Sequence, residues 1–280
     1  MQLFATEVDS FTNRYEPMED SLGKLDDYIN EELDIAVKMA NENIDCSKYP
    51  EVAEKSIYET LYQVTGGFLW ARIENKVTET NYVEARQLSK ANSIYRELDW
   101  INSFVLNLVE LGAVINLDGK IIGSDKLGHF LGIGWKYFQV ADLSSEGIIK
   151  AMELGHVSEK SFFGEMTTGV YSYADLASNY DGYIFWTDLL NSKKSPSVNP
   201  YLVCQKKKLV RVRDFSWSNY VTEAWDEGIN CNKFRSKTLE RKVENEILKL
   251  EKDDPANRYR CPIRSCGSLN RRYPKGLLNC

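Results

Sequence analysis

The sequence predicts a mainly α fold: a single large helical domain with short β elements and a Cys-rich C-terminal extension. Three observations lead there. Apolar residues recur at helical spacing over several long stretches, strand-like alternation is confined to short segments, and five of the six cysteines fall in the last 77 residues. At 280 residues, with 43% apolar and 27% charged side chains, the chain can bury a sizeable core. Residues 1–200 are expected to form the helical domain and residues 201–280 the extension.

Residues 1–17 read as an extended lead-in. A first helix is expected over 20–43, where Leu22, Leu25, Ile29, Leu33 and Ala36 fall in phase and Asp20 or Ser21 can cap the start. A second stretch over 51–76 carries Ile57, Leu61, Val64, Phe68 and Ala71 on one face, interrupted by Gly66-Gly67. Residues 81–112 read as one or two more helices, with Trp100, Phe104, Leu108 and Leu111 aligned. Asp118-Gly119 within INLDGKII signals a hairpin. Helices are then expected near 124–140, 145–154 and 172–190, one strand or two short ones over 201–214, a helix opened by Asp214 or Ser216, and a charged helix over 237–252.

The net charge of −6 and pI of about 5.2 exclude a general nucleic-acid binder, because phosphate contacts need a basic footprint. The one basic run, Lys206 to Arg213, is short and suits a solvated strand or loop. No apolar stretch reaches the roughly 20 residues of a membrane span. The opening MQLFATEVDSF has neither the basic segment nor the apolar stretch of a signal peptide. The Pro-rich, poorly cored tail and the even cysteine count fit disulfide stapling in an oxidising compartment, hence a periplasmic or secreted location. Zinc is disfavoured, since Cys261-x4-Cys266 is no CxxC knuckle and has no histidine beside it.

The chemistry-bearing residues lie between Asp125 and Gly182. In GSDKLGHFLGIGWKYF, Asp125 and His129 are four apart and share a helix face. Gly128, Gly132 and Gly134 each cost a helix interior about 1 kcal/mol against alanine, so close approach of a second helix or a ligand is expected. In GEMTTGVYSYADLASNYDGYIFW, Ser172 and Asp175 form an S-x-x-D cap signature, and Asp175, Asn179 and Gly182 follow at helical spacing. Glu165, in a Gly- and Thr-rich loop, is expected to turn back over the gap between the two stripes. That convergence would suit general acid–base work, because crowded carboxylates push their pKa values apart. It would equally suit a divalent cation, or a buried polar network locking two helices together. His156 reads as a partner of a helix C-terminus. No G-x-S-x-G elbow, phosphate loop or central cysteine offers another chemistry.

The ordered pattern D-K-x-x-H-F, then a Glu, then S-x-x-D-x-x-x-N-x-x-G, resembles the VanZ-like family and the related YfiM-like predicted periplasmic lipoproteins. The matching residues are Asp125, Lys126, His129 and Phe130, then Glu165, then Ser172, Asp175, Asn179 and Gly182, over about 60 residues. The chain departs from the VanZ-like pattern in lacking membrane-spanning segments. The resemblance implies a bacterial cell-envelope setting and carries no settled reaction.

The leading expectation is therefore an envelope hydrolase acting on peptidoglycan or another glycan. Glu165 would be the general acid and Asp175 the second carboxylate, with His129 and Asp125 tuning them. Asn179, Tyr171, Tyr173 and Thr168 would contact the substrate, the aromatic rings serving as sugar platforms. No cofactor is required, although a divalent metal on Asp125, His129, Glu165 and Asp175 is the third reading. A non-catalytic envelope protein with a helix-clamping network is the second.

Overall fold

A computed structural model describes residues 7–42, 44–65, 73–74, 76–77, 81–98, 110–141, 145–161, 164–191 and 197–280. The fold is mainly α, as the periodicity predicts. Helix α1 (Leu22–Ala40) buries Leu25, Ile29, Leu33 and Ala36 against α2 (Pro50–Val64). Asp20 rather than Ser21 serves the start of α1, its Oδ1 accepting the Leu22 N–H at 3.0 Å. Gly66-Gly67, and the apolar face from Trp100 to Leu108, lie outside the described residues.

The expected helix over 81–112 does not form across its described part. Residues 81–98 are loop with a single 3₁₀ turn, Lys90–Asn92, and Arg86 pairs with Val114 in a β-bridge. Here local apolar spacing yields to anchoring by Asp9, whose Oδ2 takes the Ile94 N–H at 2.9 Å. The hairpin follows as predicted: β1 (Val114–Leu117) pairs antiparallel with β2 (Lys120–Gly123). Its turn puts Asp118 and Gly119 at φ of 53° and 73°, the left-handed pair that an Asp-Gly turn requires.

The next helix begins immediately. It runs as α3 (Asp125–Gly128), a π-helical turn (His129–Ile133) and α4 (Gly134–Ala141). A π turn leaves backbone carbonyls off the regular ladder. One of them, Leu131 O, takes the Trp186 indole N–H at 3.0 Å. Helix α5 (Ser145–Lys160) is longer than expected, so His156 lies within it rather than after its end, with Nδ1 bonded to the Tyr171 hydroxyl. After the short strand β3 (Val170–Tyr171), α6 (Tyr173–Asp188) packs across α4 and the π turn. The glycines explain the closeness. A Cβ on Gly134 would lie 2.6 Å from Gly182 Cα, and one on Gly182 would lie 2.0 Å from Phe130 O.

Strands β4 (Leu202–Gln205) and β5 (Lys208–Arg211) form a second hairpin, and the basic run lies on it. The helix expected from Asp214 or Ser216 is replaced by two 3₁₀ turns, Trp217–Asn219 and Glu223–Trp225. Ser216 and Thr222 cap them separately, and Trp217 and Trp225 are each fully buried. Strand β6 (Lys233–Phe234) returns to pair with β3, and α7 (Lys237–Asp253), capped by Ser236, carries the charged periodic segment.

The Cys-rich extension is stapled as expected, by Cys231–Cys261 and Cys266–Cys280, while Cys46–Cys204 ties the α1–α2 connection to β4. It is also woven into the main core. Phe130 is ringed by Phe185, Phe215, Trp217, Tyr220 and Trp225 at centroid separations of 4.9–6.2 Å. Buried Asp181 of α6 takes hydrogen bonds from Trp225 Nε1 at 2.8 Å, from Arg272 Nη2 at 2.8 Å and from the Tyr273 hydroxyl. Residue 200 therefore marks no boundary in the packing.

Candidate functional site

The two polar stripes do meet. Asp125 opens α3 and His129 opens the π turn one helical turn later; Asp175 and Asn179 lie on the facing side of α6. His129 Nε2 is 3.2 Å from Asp175 Oδ2, and its Nδ1 is 3.0 Å from Asn179 Oδ1. Ser172 caps α6 as its pattern predicts, accepting the Asp175 N–H at 3.2 Å and donating to Asp175 Oδ1 at 2.9 Å.

The centre of the cluster is Lys126. Its Nζ lies 2.7 Å from Asp125 Oδ2, 2.6 Å from Asp175 Oδ1 and 2.6 Å from Glu227 Oε1, with the lysine side chain 1% exposed. Burial alone would strip its proton, but Asp125, Asp175 and Glu227 outweigh burial and hold the ammonium charged far above the ordinary lysine range. The carboxylates respond unequally. Burial raises Asp125 despite the pull of Lys126. Asp175 is lowered, because His129 and Lys126 together overcome its burial. Burial pushes Glu227 up to about 7 against the pull of Lys126, with Asp125 and Asp175 adding to the rise. Three further carboxyls border the set, among them Glu74, which burial and then Asp125 raise well above the usual range. Glu159 Oε2 accepts the Ser172 N–H at 3.3 Å, and Glu7 bonds the Thr168 hydroxyl; burial raises both well above the usual range.

Glu165 does not occupy the place expected for it. It sits half-buried in the turn after α5, with its backbone N–H on Glu159 O at 2.7 Å, and no hydrogen bond or ion pair joins its carboxylate to Asp175. The turn directs Glu159, at the C-terminal end of α5, toward Ser172 instead. All four expected substrate contacts are committed to partners within the chain, Asn179 to His129 as described above. Tyr171 is bonded to His156, Tyr173 receives Lys233 Nζ, and Thr168 donates to Gly164 O at 3.1 Å while bonding Glu7.

Lys126, Glu227, Glu159 and Glu7 carry roles that the spacing left unassigned. Lys126 stood inside the quoted motif. Glu227 had a signal of its own, a charged pair in the otherwise apolar AWDEGI, and its neighbour Asp226 proves to be buried against Arg14 at 2.9 Å. Glu159 and Glu7 had none, since each lies among ordinary polar residues.

The centre borders a groove of about 670 Å³ whose lining includes Phe11, Tyr95, Glu227, Asn232, Lys233 and Phe234. Glu227 belongs to both: Oε1 faces Lys126, and Oε2 accepts from Asn232 Nδ2 at 2.8 Å. The set therefore offers a buried proton-bearing carboxyl, its residue bordering the groove, with an ionised carboxylate and an oriented imidazole beside it. No protein-family model, curated protein or solved structure matches this chain.

Proposed function

We propose that this chain is a cell-envelope hydrolase acting on peptidoglycan or another glycan by carboxylate acid–base chemistry, with Glu227 rather than Glu165 as the proton-carrying group. The observation that carries this reading is the position of Glu227, which borders the groove while its carboxylate is buried against Lys126. With its carboxyl pushed up to about 7, Glu227 carries a proton in a useful fraction of molecules at neutral pH. Asp175, held ionised by His129 and Lys126, supplies the opposite character a few ångströms away. Two carboxyls driven apart by their surroundings are the usual arrangement of a general acid beside a base or nucleophile. Of the groove rings only Phe234 is partly exposed, Phe11 and Tyr95 being buried in the core behind it.

The setting is supported by three observations. All six cysteines are paired, which fits an oxidising compartment. Among the described residues no helix is long and apolar enough to cross a membrane. The Asp125–Gly182 pattern resembles that of VanZ-like and YfiM-like envelope proteins.

Incubation of the disulfide-intact chain with purified bacterial sacculi tests the reading. Wild type is expected to release soluble fragments. Glu227→Gln, which keeps the shape but cannot cycle a proton, is expected to lower release by about 10²- to 10⁴-fold. Release by neither protein overturns the proposal. Release undiminished in Glu227→Gln moves the acid elsewhere.

A second reading, a buried clamp between α3 and α6, is favoured by the mutual bonding of Lys126, Asp125, Asp175 and Glu227. It predicts no release by wild type and a large loss of stability on removing Lys126.

A further inference from the structure

His129 is flanked by two oxygens. Asn179 Oδ1, an acceptor, faces Nδ1 at 3.0 Å, so the ring proton belongs on Nδ1. Nε2 then presents a lone pair to Asp175 Oδ2 at 3.2 Å. Two electron-rich atoms at that separation need a positive charge between them: a second ring proton or a metal ion. A carboxylate oxygen of Asp125 completes the group, with one ligand atom from each of Asp125, His129 and Asp175 falling within 4.8 Å of the others.

Two further observations favour the ion. Asp125 is 5% exposed, yet among the described residues its Oδ1 has no hydrogen-bond partner, its Oδ2 being occupied by Lys126. An orphaned buried carboxylate oxygen is destabilising unless a ligand satisfies it. Acidic groups also outnumber basic ones here: Asp125, Asp175 and Glu227 all contact the single amine of Lys126.

We infer that Asp125, His129 and Asp175 form a binding site for one divalent transition-metal ion of the zinc class, held through His129 Nε2 and one oxygen of each carboxylate. Imidazole with carboxylates suits zinc and its neighbours, whereas calcium and magnesium take all-oxygen sets. Ligands on one tetrahedral zinc at about 2.0–2.2 Å sit about 3.3–3.6 Å apart, so the set, with its atoms within 4.8 Å of one another, closes by a shift of up to about 1.5 Å. Asn179 is a positioning residue: by accepting the hydrogen bond from Nδ1–H it fixes the tautomer that leaves Nε2 free, as the outer partners of metal-bound histidines do. Three protein ligands leave a position open for water or substrate. The site shares Asp175 with the glycan reading above, but metal binding requires no particular substrate, so the two are tested separately.

The test uses chelator-treated, disulfide-intact protein titrated with Zn²⁺ by calorimetry and with Co²⁺ by absorption. One Zn²⁺ per chain is expected, together with visible Co²⁺ bands free of thiolate charge transfer, because no cysteine is free. His129→Ala and Asp175→Asn should each weaken Zn²⁺ binding by about 100-fold or more. Asn179→Ala should weaken it by about 10- to 100-fold. His156→Ala should leave it unchanged. The chain has two histidines, so imidazole NMR signals of wild type alone report the ligand directly: Zn²⁺ should shift the His129 resonances and not those of His156. That readout stands even if a variant fails to fold. No Zn²⁺ uptake by wild type, equal uptake by His129→Ala, or unmoved His129 resonances would overturn the assignment.

Discussion

At Lys126 Nζ three carboxylate oxygens converge within 2.7 Å, and every partner is at least nine-tenths buried. A buried ion cluster is a weak source of net stability, but removing one member leaves the others uncompensated. Lys126→Met is therefore expected to destabilise the protein by about 3–5 kcal/mol at neutral pH, read from urea unfolding. Part of that loss should return near pH 5, where the orphaned carboxylates take up protons. Glu227 supplies a second prediction. Its carboxyl titrates at about 7 when folded and near 4.5 when unfolded, so the folded chain holds that proton more tightly. Raising the pH from 4.5 to about 7 strips the unfolded state first and lowers stability. The slope for this one group is at most about 1.4 kcal/mol per pH unit. Glu7 and Glu159, also raised, act in the same direction at pH above 4.5. Asp175 acts oppositely: its contribution is present above 3.8 and fades as the pH falls through its lowered folded value. Unfolding midpoints measured across this range should show a flatter slope for Glu227→Gln than for wild type.

At the scale of elements, the site exists because two helices approach to backbone contact. Gly134 meets Gly182, and Gly182 lies under Phe130 O, with no room for a methyl group. Gly182→Ala is expected to cost at least about 3 kcal/mol, since backbone rather than a flexible side chain must move. In contrast, Gly23→Ala in α1 meets nothing within 4 Å and should stabilise by a few tenths to about 1 kcal/mol. Thermal unfolding of the pair separates packing from propensity. The matched stripes and their small residues were legible in the sequence because helical spacing places Asp125 with His129, and Asp175 with Asn179. The π turn was not legible. It depends on the Trp186 indole reaching Leu131 O, a contact between residues 55 apart. The two 3₁₀ turns around Trp217 and Trp225 escaped for a similar reason: burial of the indoles outweighs the local preference for one longer helix.

At the scale of the molecule, the extension is a structural member of the core, not an appendage. Glu227 reaches Lys126, Asp226 reaches Arg14, and β6 pairs with β3. The disulfides close loops of very different size. In the chain-entropy account, loss of Cys46–Cys204, which spans 158 residues, should cost about 5 kcal/mol. Loss of Cys266–Cys280, which spans 14, should cost about 3 kcal/mol. Paired Cys→Ser variants compared by urea denaturation check the order. Its reversal would mean that the unfolded chain keeps the first loop closed by other contacts.

The sequence by itself determined the helical class, the hairpin at Asp118-Gly119, the Ser172 cap and the facing stripes of Asp125, His129, Asp175 and Asn179, because each rests on spacing within one short segment. Only the tertiary structure decided which carboxylates join them. Glu165, ten residues before Asp175, stays outside, while Glu227, 101 residues from Lys126, lies 2.6 Å from its ammonium. The physical reason is that a buried ammonium is neutralised by whichever carboxylates the folded chain brings to it, and that depends on how α6 packs and where the 3₁₀ turn ending at Trp225 deposits Glu227.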